Sequence, residues 1–388
     1  MTALRILAFV LGVGLVAVIL GSAIRTTILP RGIPAKFGRA VFLLIRALFR
    51  LRARPSASYE RRDHVMAFFG PVSLLILLVA WIAAVLLGYA GMFWGLAHRS
   101  VGTAFRLSGT SIVTLGTERA PDLASTILAI SEAALGLILL TLLITYLPSI
   151  YLAFSRREAA VTALEIRAGS PPSGAEMIWR YHALERMDRL IEVWSAWETW
   201  FVDIEETHTS FPVVVFFRSP QPDHSWVTAA GAVLDGASLT ASVVDIPREV
   251  QAEFCIRAGY LALRRIADFF SIPYDPSPKA DDPISIIRHE FDEVCHWLES
   301  EGVPMKPDRD KAWRDFVGWR VNYDTVLLAL AGLTMAPFAP WSSDRSLRTW
   351  RPPIFPGRAR RRSRGPSVLY AADIGFEEPE SEQEREDA

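Results

Sequence analysis

The sequence predicts an all-α membrane protein: three transmembrane helices, a re-entrant loop between the second and third, and a cytoplasmic α-helical domain. Three observations carry this expectation. Near-continuous apolar runs cover residues 4–23, about 65–94 and about 123–154, and about 20 apolar residues suffice to cross a bilayer. Arginines crowd the loop after the first run and follow the third at Arg156 and Arg157, the asymmetry of cytoplasmic loops. Between the second and third runs, residues 100–122 are amphipathic, glycine-bearing and too short and polar to span. Such backbone is tolerated at membrane depth only where protein buries it or where it lines a water-filled cavity.

With 388 residues, 51% hydrophobic and 21% charged, the chain is long enough for a membrane portion and one soluble domain. A net charge of −1 gives no bulk field for nucleic acid, and none is expected as a partner. The two cysteines, Cys255 and Cys295, form no CxxC, which excludes a disulfide framework and a zinc-finger pattern. Lysine is confined to Lys36, Lys279, Lys306 and Lys311 while arginine abounds, the usage expected of a GC-rich bacterial genome.

Residues 1–23 read as the first span. Gly21-Ser22-Ala23 resembles a signal-peptide cleavage site. The segment 24–64, however, carries ten basic residues against Glu60 and Asp63 and is expected to stay cytoplasmic, which retains the helix with its N-terminus outside. Within that segment Phe37, Val41, Leu44, Leu48 and Leu51 fall at helical spacing, with Arg39, Arg46, Arg50 and Arg54 opposite. This fits either a helix lying on an anionic lipid surface or a basic linker that fixes topology.

Residues 65–155 form the next module: an outer helix with Tyr89, Phe93 and Trp94 at its outer interface, the loop 100–122, and an inner helix containing Glu132. An ionisable residue inside a span reads as functional or as a structural buttress. The segment 156–340 is expected to be helical. Ser173 and Glu176 make a capping-box start for one helix through about Ile204. A small-residue helix over about 224–245, containing Asp235, reads as buried in a bundle and not as a fourth span. Further helices are expected after Pro247, over about 284–302 and over about 310–333. VVVFF at 213–217 is the one run that tempts a strand assignment. Residues 341–388, with a basic cluster at 358–364 and an acidic one at 377–387, have the composition of a disordered tail.

The run Ser111-Ile112-Val113-Thr114-Leu115-Gly116 resembles the end of the pore helix and the start of the filter in potassium-channel-type proteins. In that family a threonine-valine-glycine-tyrosine-glycine run lends backbone carbonyls to replace a cation's water shell. The resemblance aligns Thr114, Leu115, Gly116, Thr117 and Glu118 with that run, places Arg119 where an acidic residue usually follows, and covers about residues 65–158. Glu132 four residues before Gly136 matches the family's acidic-to-hinge-glycine spacing, with the carboxylate as buttress, and Pro148 stands where a kink at the bundle crossing is expected. The second filter glycine and the tyrosine are absent. The resemblance implies a homotetramer in the cytoplasmic membrane, in contact with lipids, passing monovalent cations without strict potassium selectivity and gated by the cytoplasmic domain. Glu118 then forms a ring of carboxylates. The alternative is a membrane-anchored sensor or scaffold with a non-conducting pore-like fold.

Other constellations point elsewhere less specifically. His289, Asp292, Glu293 and His296 share one helix face beside Cys295, but they lack the HExxH spacing of a zinc site and read as a salt-bridged face. Glu205, Glu206, His208, Arg218 and Ser219 flank a helix break and either line a pocket or pin the turn. No nucleophile elbow or phosphate loop is present. No enzyme, metal or cofactor is expected.

Overall fold

The computed structural model describes residues 2–27, 36–52, 59–96, 100–118, 120–248 and 250–345. Among them every regular element is helical, apart from one isolated bridge between Val244 and Met305. The helices form two bodies that share one long element.

The first body contains three helices long and apolar enough to cross a membrane. They are α1 (Thr2–Thr27), α4 (Phe69–Leu96) and α6 (Leu123–Ala168). Between spans, lipid offers no less apolar contact than protein does, so close association relies on small residues. α1 and α4 meet in that way. A Cβ on Gly12 would stand 2.4 Å from the Gly88 carbonyl oxygen, and one on Gly95 would stand 2.7 Å from the Arg5 carbonyl oxygen. Trp81, Val85 and Phe93 of α4 are buried in the resulting seam with Ile19 of α1. α6 behaves differently. It packs along one face only, through Glu132, Gly136, Leu139, Leu143, Tyr146, Ile150 and Ala153, whereas Leu137, Ile144, Leu147 and Tyr151 stand exposed and apolar. The helix runs on through Pro148.

The second body is a bundle built around α9 (Trp226–Ser242), in which every residue but Ala241 is buried. Its alanines, glycines and serines allow close neighbours. A Cβ on Gly174, at the start of α7 (Gly174–Ala183), would lie 2.4 Å from the Gly236 amide nitrogen. α8 (Leu190–Ser210), α10 (Val250–Phe270) and α13 (Asp324–Thr334) complete the larger core with Trp194, Phe201, Ile256, Leu263 and Leu327. A smaller core joins α11 (Arg288–Ser300) and α12 (Arg309–Arg320) to α7 through Ile178, Phe291, Leu298 and Phe316.

Several boundaries differ from expectation. The single helix expected over about 173–204 is two. α7 and α8 are separated by a turn in which Glu185 takes φ 56° and Arg186 N–H closes onto the Tyr181 carbonyl at 2.8 Å. The expected last helix is likewise α12 and α13, divided at residues 321–323, where Arg264 binds both the Asn322 carbonyl (2.9 Å) and its side-chain oxygen (3.2 Å). VVVF at 213–216 is a 3₁₀ turn, not a strand. The packed chain also continues past Pro340. Ser342 is buried, and Arg345 pairs with Glu290 at 2.6 Å. The clusters at 358–364 and 377–387 lie outside the described residues.

The basic segment supplies two helices, α2 (Lys36–Arg52) and α3 (Tyr59–Ala67). α2 is anchored to the bundle, which a linker would not be. Phe42 lies 4.9 Å from the Phe69 ring and 5.3 Å from the Phe216 ring, and Arg46 donates to the Leu333 carbonyl at 3.3 Å. A second stripe of α2, Leu44, Leu48 and Leu51, stays exposed. Nothing is described of the Arg39, Arg50 and Arg54 side chains.

Candidate functional site

The segment between α4 and α6 holds one short helix, α5 (Val101–Ile112), capped by Ser100, whose hydroxyl accepts the Thr103 N–H. Ala104, Leu107, Ser108, Ser111 and Ile112 form its buried face, so the helix lies against both long neighbours. The Ser108 hydroxyl fixes its height. Its hydrogen is shared between the Leu86 carbonyl of α4 (2.9 Å) and Glu132 Oε1 of α6 (2.5 Å). Glu132 is fully buried, and its Oε2 has no hydrogen-bond partner among the described residues. One residue earlier, the Ser131 hydroxyl pairs with the Tyr89 hydroxyl at 2.9 Å, again tying α6 to α4.

Gly136 seats the C-terminal end of α5. A Cβ there would stand 2.4 Å from the Ile112 carbonyl oxygen, a backbone atom that cannot swing aside. Gly136→Ala is therefore expected to cost about 1–3 kcal/mol through forced separation of α5 from α6. Gly21, which has nothing within 4 Å of its Cβ position, serves as control, because Gly→Ala in an open helical site gains about 0.5–1 kcal/mol. Thermal unfolding of the two variants in detergent should move in opposite directions. Equal shifts would remove the steric argument.

Beyond Ile112 the chain turns sharply. Thr114 and Gly116 both take left-handed φ values, 59° and 61°. The amides of Leu115 and Gly116 close onto the Thr110 carbonyl at 2.8 and 3.3 Å, so the helix terminus is satisfied by the segment that follows it. Leu115, Gly116 and Thr117 are exposed. Glu118 folds back to pair with Arg106 of α5 at 3.1 Å. Arg106 stands twelve positions before its partner, and Arg119 lies outside the described residues. No helical spacing relates Arg106 to Glu118, since α5 ends at Ile112 and it is the left-handed turn at Thr114 and Gly116 that carries Glu118 back towards Arg106.

Below this region the spans meet the bundle around Arg157. This side chain is 1% exposed. It donates to the Val214 carbonyl (2.7 Å), the Phe217 carbonyl (2.6 Å) and Glu158 Oε1 (2.8 Å), and its Nη1 lies 3.3 Å from His208 Nε2. Burial, and secondarily the Arg157 charge, pushes the His208 imidazole well below its ordinary pKa. A neutral ring then accepts from Arg157 at Nε2, and its Nδ1–H faces the Thr207 hydroxyl at 3.1 Å. The polar group at 205–219 is thereby accounted for as a pin. Glu205 pairs with Arg265. Ser219 bonds Glu158. Arg218 joins Asp63 (2.5 Å) to the Thr334 and Met335 carbonyls (2.6 and 3.0 Å) at the end of α13.

The histidine-rich face of α11 is solvent-exposed. His289 lies 3.6 Å from Glu293, and Asp292 pairs with Arg288 at 2.8 Å. Among the described residues no cluster of His, Cys, Asp and Glu has a metal-holding arrangement. No family model, curated protein or solved structure matches this chain.

Proposed function

We propose that four copies of this chain surround a cation pathway in the cytoplasmic membrane. α4 serves as outer helix, α5 as pore helix of a re-entrant loop, and α6 as inner helix. The observation that carries the proposal is the seat of α5 between two long apolar helices, held by Ser108–Glu132 and by the Gly136 contact, with its C-terminus opening onto Thr114–Glu118. In that arrangement Glu132 is the buttress of the loop. The exposed apolar stripe of α6 is available to neighbouring subunits, and Leu44, Leu48 and Leu51 of α2 face lipid. The N-terminus lies outside and the bundle in the cytoplasm, where it gates by acting on α6 near Pro148.

With one positive-φ glycine and no tyrosine, the segment lacks a potassium-selective carbonyl ladder, and monovalent cations pass with little discrimination. A specific observation favours the second reading, a membrane-anchored sensor or scaffold. The Arg106 pair neutralises Glu118 within its own chain, which weakens any carboxylate ring.

Purified protein in planar bilayers decides between them. The expected result is a cation current carried by sodium and potassium alike. Glu118→Gln should reduce it several-fold, because the substitution leaves four uncompensated Arg106 guanidinium groups at the mouth. Absence of current under every monovalent gradient, or a monomer on crosslinking, would overturn the pore and leave the scaffold.

A further inference from the structure

The bundle contains a basic cavity that the pore proposal does not use. It has a volume of about 530 Å³, within the usual range of small-molecule sites. One face of α12 forms a wall, since Lys311, Arg314, Asp315, Gly318 and Trp319 recur at helical spacing. The opposite wall comes from the end of α9, the first turn of α10 and the segment carrying Lys306.

The charges of this cavity do not balance internally. Four cations line it with two carboxylates. Glu253 takes Arg248 in a two-point pair (2.8 and 3.0 Å), and Asp315 takes Lys311 (2.5 Å). Arg314 has no hydrogen-bond or ion-pair partner among the described residues. The Lys306 ammonium donates once, to the Ala241 carbonyl at 2.7 Å, and keeps two donors free. Burial, and secondarily the neighbouring Lys311 charge, lowers the Lys306 pKa from its ordinary value, against the opposing pull of Asp315 and Asp245. The chain has only four lysines, two of which meet here. Two cations held in no ion pair among the described residues, Lys306 and Arg314, match a doubly charged group better than a single carboxylate. The first turn of α10 borders the same space and adds amide dipoles of the same sign. Trp319, Ile246 and Ala252 supply an apolar side.

We propose that this cavity binds an organic phosphate, with the phosphoryl group held by Lys306 and Arg314 and the apolar portion resting on Trp319. The proposal stands whether or not the protein conducts. Isothermal titration calorimetry on the full-length protein in detergent at low salt tests it, with phenyl phosphate, inorganic phosphate and benzoate as probes. Phenyl phosphate should bind most tightly. Arg314→Gln should weaken it about tenfold, one charge-assisted contact being lost, while Arg186→Gln, on another basic surface of the bundle, should not change it. Lys306→Gln should weaken it similarly, but this substitution also uncaps α9, so Arg314→Gln decides. Wild-type affinity in Arg314→Gln, benzoate binding as tightly as phenyl phosphate, or no heat with any probe overturns the site. Inorganic phosphate binding as tightly as phenyl phosphate overturns the organic portion and leaves a free-phosphate site.

Discussion

Replacing Arg320 with methionine is expected to destabilise the bundle by about 3–5 kcal/mol, the cost of removing one partner from a buried ion pair. Arg320 is fully buried and bridges two carboxylates. Its Nη1 meets Asp235 in the middle of α9, and its Nε lies 2.8 Å from Asp324 at the start of α13. A third donor, Nη2, takes the Trp341 carbonyl. Tyr323 donates to Asp235 at 2.9 Å and pairs with Ser238 at 3.0 Å, and Ser285 binds Asp324 through both its hydroxyl (2.6 Å) and its amide (2.8 Å). Burial alone would lower the Arg320 pKa, but Asp235 and Asp324 outweigh it and hold the guanidinium above its ordinary value. Burial raises the Asp235 pKa, and the Arg320 charge and hydrogen bond oppose that rise. Without Arg320 the two carboxylates share a low-dielectric space, and the bundle either takes up protons or opens.

Chemical unfolding of the full-length protein, followed by tryptophan fluorescence, measures this loss. Because Asp235 is the deeper orphan, Asp235→Asn in the Arg320→Met background should recover part of it. A loss below about 1 kcal/mol, the size typical of an exposed pair, would show that the network is not held together by charge.

This network also marks where the sequence stops being readable. Asp235 signalled a buried bundle helix, because a carboxylate amid alanines and serines fits a bundle better than a bilayer. Its partner stands 85 residues away, and no spacing rule joins two helices that far apart. The three long apolar helices were legible for the opposite reason: apolar length is a local and strong signal. Glu132 was legible as a lone charge in an apolar run, whereas Ser108 was not, since a serine on an amphipathic helix is ordinary until its height between α4 and α6 is known. The two missed breaks belong to the same class. Residues 184–189 are good helix formers, and only the separate packing of α7 and α8 ends the helix there. The stop between α12 and α13 is held by Arg264, a residue from another helix.

The second large effect is expected at Arg157, and it bears on the joint between the spans and the bundle. Arg157→Met strips hydrogen bonds from two carbonyls, Val214 and Phe217, and leaves Glu158, 7% exposed, with Ser219 as its remaining partner. The cost is again about 3–5 kcal/mol, but it falls at one place. The 3₁₀ turn over Pro212–Phe216 is the element that Arg157 grips, and Phe216 packs 5.3 Å from the Phe69 ring at the start of α4. Loss of the grip should therefore release the bundle from α4 and α6 together while its own core, centred on Trp194 and Phe201, stays folded. Hydrogen exchange is expected to rise over residues 208–218 and the last turns of α6 before it rises in α9. Arg157→Lys should fall between wild type and Arg157→Met, because an ammonium keeps the charge but cannot span both carbonyls and Glu158 in one plane. Uniform loss of protection across α9 would mean that Arg157 stabilises the whole bundle, and would remove it as a joint between α6 and the bundle.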